Sequence, residues 1–229
     1  MVGAVTVEDR TREEGSAVYI RPYLPSDRDR CVTMSVEAWP RMSSGLPGRT
    51  ASDFWGMLLD IANDYSDVRE VACASTSVVG VLLGRRRGSL STRESISQVR
   101  IFLSFLRSIS RKLPLRTSTS MFCTLLLTEV KIMFNSPRSD GEVAFLVVDP
   151  RYQGRGIGLR LLDNFITQAR SSDVHMISVY TTDPGCNWRF YEKRGFRRVA
   201  QFEDDFGTRF EGERSSGLMY ALDLLERPL

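Results

Sequence analysis

Histidine is nearly absent from this 229-residue chain, which has one, His175. A serine or cysteine nucleophile usually depends on an imidazole base, so this lack removes most hydrolase triads. Cysteine is scarce too. Cys31, Cys73, Cys123 and Cys186 lie far apart and form no C-x-x-C pair, which argues against a disulfide framework and against a zinc site. No apolar run reaches the ~18 residues of a membrane span, and Met1 to Val7 runs straight into Glu8, Asp9 and Arg10 without a signal-peptide core. Nor is there an excess of one charge: 31 Lys and Arg stand against 28 Asp and Glu, net +3, too balanced to announce a nucleic-acid binder. With 42% hydrophobic and 26% charged residues, the composition is that of an ordinary globular protein. The expectation is a soluble, cytoplasmic protein without a metal.

The length fits one well-filled domain, here 17–229, behind a polar, disordered tail over 1–16. Val18-Tyr19-Ile20-Arg21-Pro22 reads as a first strand, and Ser26-Asp27-Arg28-Asp29 as a helix-capping box. Cys31, Val32, Ser35, Val36 and Trp39 then recur at helical spacing until Pro40. A second helix is expected with Ser52 as N-cap and Phe54, Met57, Leu58, Ile61 and Ala62 on one face. Two strands, Val71 to Ser75 and Val78 to Gly84, pair through a tight turn at Thr76-Ser77. Further strands are expected over Val174 to Thr181, Phe196 to Gln201 and Gly217 to Leu225. His175 falls in the first of these and reads as structural.

Residues 85–140 show no strand pattern. Apolar residues from Ile96 to Ile109 read as a helix broken near Pro114, and a second apolar helix covers Ser120 to Phe134, so the segment reads as a helical hairpin inserted into an α/β domain. It is basic: Arg85, Arg86, Arg87, Arg93, Arg100, Arg107, Arg111, Lys112 and Arg116 face only Glu94. A lid over the substrate, a dimerisation surface, a membrane or nucleic-acid contact, and plain packing with a solvated basic face all remain open.

Glu142 to Val148 is a nearly continuous apolar run of strand length, as for a central strand covered on both faces. It ends at Asp149-Pro150, and Gln153-Gly154-Arg155-Gly156-Ile157-Gly158 opens a helix whose apolar face is Ile157, Leu161, Leu162, Phe165, Ile166 and Ala169. Free N–H groups and the helix dipole at such a start favour a phosphate. A dinucleotide fingerprint would need glycine where Leu159 stands, and a P-loop would need G-K-[ST]; neither fits.

The run from Val148 to Gly158 resembles instead the acetyl-CoA signature Q/R-x-x-G-x-G/A of the GNAT superfamily of acyl-CoA-dependent N-acyltransferases, with Gln153, Gly156 and Gly158 in its defined positions. Asn187 to Phe196 is similar to that family's later N-x-x-x-Y-x-x-x-G-F segment. The resemblance is loose over 17–84, good over 141–225, and does not extend to 85–140. It implies an α/β fold with a mixed, mostly antiparallel central sheet flanked by helices and splayed at the cofactor-binding strand.

The resemblance also implies roles. Backbone N–H groups from Gly154 through Ile157 and Gly158 to Leu159 would hold the CoA pyrophosphate, with Arg155 and Arg160 adding positive charge. Main-chain groups of Leu146, Val147 and Val148 would pair with the pantetheine arm, and an N–H near Val147 or Val148 would polarise the thioester carbonyl. Asn187 and Phe190 would line the far side of the cofactor, although Phe190 is equally a core residue. Tyr191 would be the general acid for the CoA thiolate, unless it is a structural tyrosine hydrogen-bonded to support the cofactor. Glu142 would be the general base, unless it only caps the strand edge; Asp140 and Glu129 stand in reserve. Trp39, Arg41 and the loop to Arg49 would wall the acceptor site.

The expected activity is transfer of an acetyl group from acetyl-CoA to a primary amine, of a small molecule or a protein, by direct attack in a ternary complex. A homodimer through the helical insertion is a possible partner arrangement. The rivals are a silent acyl-CoA-binding module and docking on nucleic acid or membrane through the basic hairpin; the presence of both Glu142 and Tyr191 disfavours the first.

Overall fold

The computed structural model of the protein describes residues 18–47, 50–86, 102–103, 105–184 and 188–225. In chain order these form β1 (Val18–Pro22), α1 (Arg28–Ala38), α2 (Pro40–Gly45), α3 (Ala51–Tyr65), β2 (Val68–Ala74), β3 (Ser77–Arg85), α4 (105–112), α5 (Leu115–Asn135), β4 (Gly141–Val148), α6 (Ile157–Arg170), β5 (Met176–Asp183), α7 (Arg189–Glu192), β6 (Arg197–Glu203), α8 (Asp205–Phe210) and β7 (Ser216–Asp223). The strands make one seven-stranded sheet in the order β1-β2-β3-β4-β5-β7-β6. Every pairing is antiparallel except β4 with β5. This is the mixed, mostly antiparallel sheet flanked by helices that the sequence led us to expect.

Strand alternation divides the apolar residues between two faces. Val71, Cys73, Val81 and Leu83 point to one side, where they pack with α1 to α5 and α8. Val68, Ala72, Val79 and Leu82 point to the other, against α6 and α7. On that second side the ring of Phe165 lies so close to Gly84 that a Cβ there would stand 2.4 Å from it.

The sheet opens at its centre. β4 pairs with β3 as far as Val148, but with β5 only over Gly141, Glu142 and Val143. From Ala144 onward the β5-facing edge of β4 is outside the ladder, so the two strands splay. Within β4, Leu83 pairs with Phe145 while the next β3 residue, Gly84, pairs with Val143. Ala144 is therefore the extra residue of a β-bulge, which shifts the side-chain alternation of the strand by one. Phe145 and Val147 lie on the α1–α3 side, whereas Val143, Leu146 and Val148 lie on the α6 side.

Between β3 and β4, helices α4 and α5 pack into the first core through Phe105, Ile109, Leu113, Met121 and Leu125. Polar contacts hold them as well. Ser108 Oγ and Lys112 Nζ donate to Asp53 of α3 at 3.0 and 2.6 Å. Thr128 Oγ1 donates to Asp204 at 3.0 Å and accepts from the Phe206 N–H. Arg107, Arg111, Lys112 and Arg116 are exposed, and α5 also exposes Leu126, Leu127, Val130, Met133 and Phe134. No helix among the described residues is long and apolar enough to cross a membrane.

Several local readings are corrected. Helix α3 begins at Ala51 with Thr50, not Ser52, at its N-cap. The β2–β3 turn falls at Ser75-Thr76, with Ser75 at φ 53°. Pro40 does not merely stop α1: its fixed φ and missing N–H suit the first turn of α2, which it opens. The capping residue ahead of α1 is Asp27, whose carboxylate accepts the Leu24 N–H at 2.8 Å and is gripped by Arg21. His175 precedes β5 rather than lying in it.

Candidate active site

The loop from β4 to α6 is built around a buried carboxylate. Asp149 has no exposed side-chain surface; it accepts from the Arg151 N–H at 2.9 Å, from the Arg151 guanidinium and from Arg30 of α1. Burial pushes its pKa up, but the Arg151 hydrogen bonds and the two guanidinium charges outweigh that and hold it below the usual carboxylate range. Gln153 reaches back and donates through Nε2 to the Val148 carbonyl at 3.1 Å, tying the loop to the strand end.

Gly154 and Gly156 adopt φ of +76° and +75°, a conformation that L side chains rarely take. A Cβ at either would meet nothing within 4 Å, so it is backbone shape, not crowding, that calls for glycine there. Gly156 is the N-cap of α6 and leaves the first-turn N–H groups of Ile157, Gly158 and Leu159 without helical acceptors. Arg155 is exposed and lies over the Tyr152 ring at 5.0 Å. The loop presents these N–H groups beside open space.

Beside it, in the splay, the second motif comes in. A Cβ on Gly158 would touch Phe190 at 3.4 Å and Val148 at 3.5 Å, so strand end, helix start and α7 converge at one place. Tyr191 of α7 is buried on the α6 side, edge-on to Phe190 (5.1 Å) and Phe196 (5.7 Å). Leu146 lies on this face too, while Val147 points to the opposite one. Asn187 lies outside the described residues, as does Arg49 of the expected acceptor wall.

The carboxylate lies across the sheet. Arg85 and Glu142 are paired on β3 and β4, and the Tyr65 hydroxyl at the end of α3 is 3.5 Å from Glu142 Oε1. Burial raises the Glu142 pKa; the Arg85 charge and the Tyr65 hydroxyl draw it back in part. Glu129 of α5 shares this environment: its pKa is also raised, by burial and then by the Glu142 charge. Glu129 is an exposed position of α5, not a core residue. Asp140 behaves differently. Burial works against its charge, but its oxygens accept the N–H groups of His175 and Met176, and its pKa is lowered. A carboxylate so engaged is a poor base.

On the same side of the sheet, Trp39 stacks on Trp55 at 4.5 Å and meets Phe145 edge-on at 6.2 Å. Arg41 is tied to Glu213 by an ion pair. A groove of about 570 Å³ between α1, α3 and α4 contains none of these site residues. Its charges are already matched, Arg28 to Asp60 and Lys112 to Asp53, each at 2.6 Å. No group of His, Cys, Asp and Glu suited to a metal ion occurs among the described residues. Tyr65, Arg85 and Arg30 were not singled out from the sequence as site residues. No local spacing links residue 65 to 142 or 30 to 149.

Residues 127–196 match the acetyltransferase (GNAT) family. No curated protein matches the sequence significantly. Similar solved structures include Ard1 from Thermoplasma volcanium (16% identity, TM-score 0.53, covering 92% of this chain and 99% of that one). Others are yncA from Salmonella typhimurium, solved with its cofactor acetyl-CoA (16%, 0.53, 93% and 97%), and an aminoglycoside 6'-acetyltransferase type Ii (14%, 0.51, 92% and 99%). At such identities the likeness is one of fold. Acetyl-CoA is the cofactor of this family, and the residues here fit it: two left-handed glycines with open space above them, free N–H groups at the start of α6 and an unpaired strand edge beside them. The chain is thus matched to the acetyltransferase (GNAT) family in sequence over residues 127–196 and shares the fold of these solved structures over nearly its whole length.

Proposed function

We propose that the protein transfers the acetyl group of acetyl-CoA to a primary amine, of a small molecule or a protein, by direct attack in a ternary complex. The observation that carries this reading is the splay between β4 and β5, with Tyr191 and the glycine loop on one face of the sheet and Glu142 on the other. Cofactor and acceptor can then approach one gap from opposite sides.

When bound, acetyl-CoA supplies an electrophilic thioester carbon. Gly154 to Leu159 hold its pyrophosphate through backbone N–H groups, helped by Arg155 and Arg160. The free edge of Leu146 to Val148 pairs with the pantetheine arm as an added strand would. An N–H near Val147 or Val148 donates to the thioester oxygen.

An alkylammonium with a pKa near ~10 is almost fully protonated at pH 7 and has no lone pair to attack with. Glu142, a half-buried carboxyl whose pKa burial raises above its ordinary value, takes that proton directly or through water. The Tyr191 hydroxyl gives a proton to the departing CoA sulfur. Trp39 and Phe145 supply an aromatic wall on the acceptor side.

The test is thiol release from acetyl-CoA across a panel of primary amines, followed by Glu142→Gln on any amine turned over. Loss of the acid limb of the pH–rate profile supports Glu142 as the base. A profile that keeps its shape and position removes it.

A further inference from the structure

Glu142 can act on an acceptor only if its carboxylate points into the gap, and strict alternation along β4 would put it on the same face as Leu146 and Val148. The bulge at Ala144 reverses that parity and turns Glu142 toward α3. There it meets Tyr65, the last residue of the helix, whose hydroxyl lies 3.5 Å from Oε1. The phenol ring is itself held: the Arg85 guanidinium sits over its face, 5.9 Å from the centroid. Arg85 in turn is buried and paired with Glu142 across the β3–β4 ladder. Tyr65, Arg85 and Glu142 come from three elements and meet beside one carboxylate.

We infer that Tyr65 is a positioning residue for the acyl transfer, donating its hydroxyl to Glu142 so that the second carboxylate oxygen is presented to the acceptor amine. The inference rests on Glu142 being the base. The contact is longer than the 2.5–2.7 Å of a formed hydroxyl–carboxylate bond, as catalytic hydrogen bonds often are before substrate is bound. Burial and the nearby carboxylates keep the phenol well above its ordinary pKa, so it remains a neutral donor throughout the range in which Glu142 titrates.

The charged and titratable groups that face Glu142 are Tyr65 from α3, Arg85 from β3 and Glu129 from α5. Arg85 and Tyr65 favour the charged form of Glu142, and burial and then the Glu142 charge raise the Glu129 pKa. Tyr65 donates to the ionised form of Glu142, so removing the hydroxyl must raise the Glu142 midpoint. Loosened packing would do the reverse, since water admitted around the carboxyl lowers its pKa toward that of free glutamate. The sign of the shift therefore separates positioning from packing.

The experiment is a titration of the Glu142 carboxyl in the full-length protein by 13C NMR with 13Cδ-labelled glutamate, the Glu142 signal being identified by its loss in Glu142→Gln. In Tyr65→Phe, which keeps the ring, the midpoint should move up; in Glu129→Gln it should not. Site-specific 3-fluorotyrosine at position 65, a more acidic donor of nearly the same shape, should move it down and serves equally if Tyr65→Phe does not fold. A midpoint that falls or stays put in Tyr65→Phe, or one that 3-fluorotyrosine leaves unmoved, overturns the inference. This titration reads the Tyr65–Glu142 contact without turnover, so it can fail while Glu142 remains the base. Should Glu142→Gln instead leave the pH–rate profile intact, the role of Glu142 and that of Tyr65 fall together.

Discussion

Arg30, in the first turn of α1, donates through Nη2 to the fully buried carboxylate of Asp149 at the end of β4, an ion pair across 119 residues of sequence. It fastens α1 to the end of β4 and the glycine loop that follows. Removing Asp149 strips Arg30 and the Arg151 N–H of their acceptor, and because both guanidiniums keep access to solvent the cost is about 1–3 kcal/mol. Asp149→Ala should lose stability in that range in urea unfolding at pH 7.

The same carboxylate makes the protein acid-labile. Its folded pKa lies below the unfolded value near ~3.9, so its contribution is fully present above that value. It is lost as the pH falls through the lower, folded pKa. Thermal unfolding between pH 6 and pH 2.5 should show a stability loss at the acid end, and Asp149→Asn should show less of it.

Gly156→Glu places a side chain at φ +75° and a negative charge at the proposed phosphate site. With acetyl-CoA at 100 times Kd, the parent should gain about 2.7 kcal/mol, or roughly 5–10 °C in Tm. The variant should show no gain. A shift retained in the variant would separate the glycine loop from the cofactor.

Tyr191→Phe should lower kcat about tenfold or more while leaving the acetyl-CoA thermal shift unchanged, because a general acid contributes roughly 10²–10⁴-fold and the ring packing against Phe190 and Phe196 is kept. An unchanged kcat takes Tyr191 out of the reaction.

Helices α4 and α5 should behave as core, not as appendages. Ile109 and Met121 are fully buried, and Met121→Ala or Ile109→Ala should cost about 2–5 kcal/mol. Lys112→Ala removes only a half-exposed ion pair with Asp53 and should cost less than about 1 kcal/mol. Chemical denaturation of the three variants distinguishes them.

The elements legible in the sequence are those with a local cause. The apolar run from Val143 to Val148, the glycines at 154 and 156, and the repeat of Ile157, Leu161, Leu162 and Phe165 each state their conformation within a few residues. The element boundaries that moved were set by neighbours. Thr50 takes the N-cap of α3 where Ser52 also suits it, and Asp27 occupies the N-cap position of α1 with its carboxylate turned back to Arg21 and the Leu24 N–H.

By itself, then, the sequence determined the alternation of strands and helices and the glycine-rich start of α6, since these follow from backbone preference and hydrophobic period over short spans. Only the tertiary structure decided which side of the sheet each group serves. The Ala144 bulge appears only when β3 and β4 are laid in register, and it alone turns Glu142 to Tyr65 and away from Tyr191. Contacts such as Arg30 with Asp149 and Thr128 with Asp204 likewise join segments far apart in the chain. Packing brings such pairs together, and no local pattern records them.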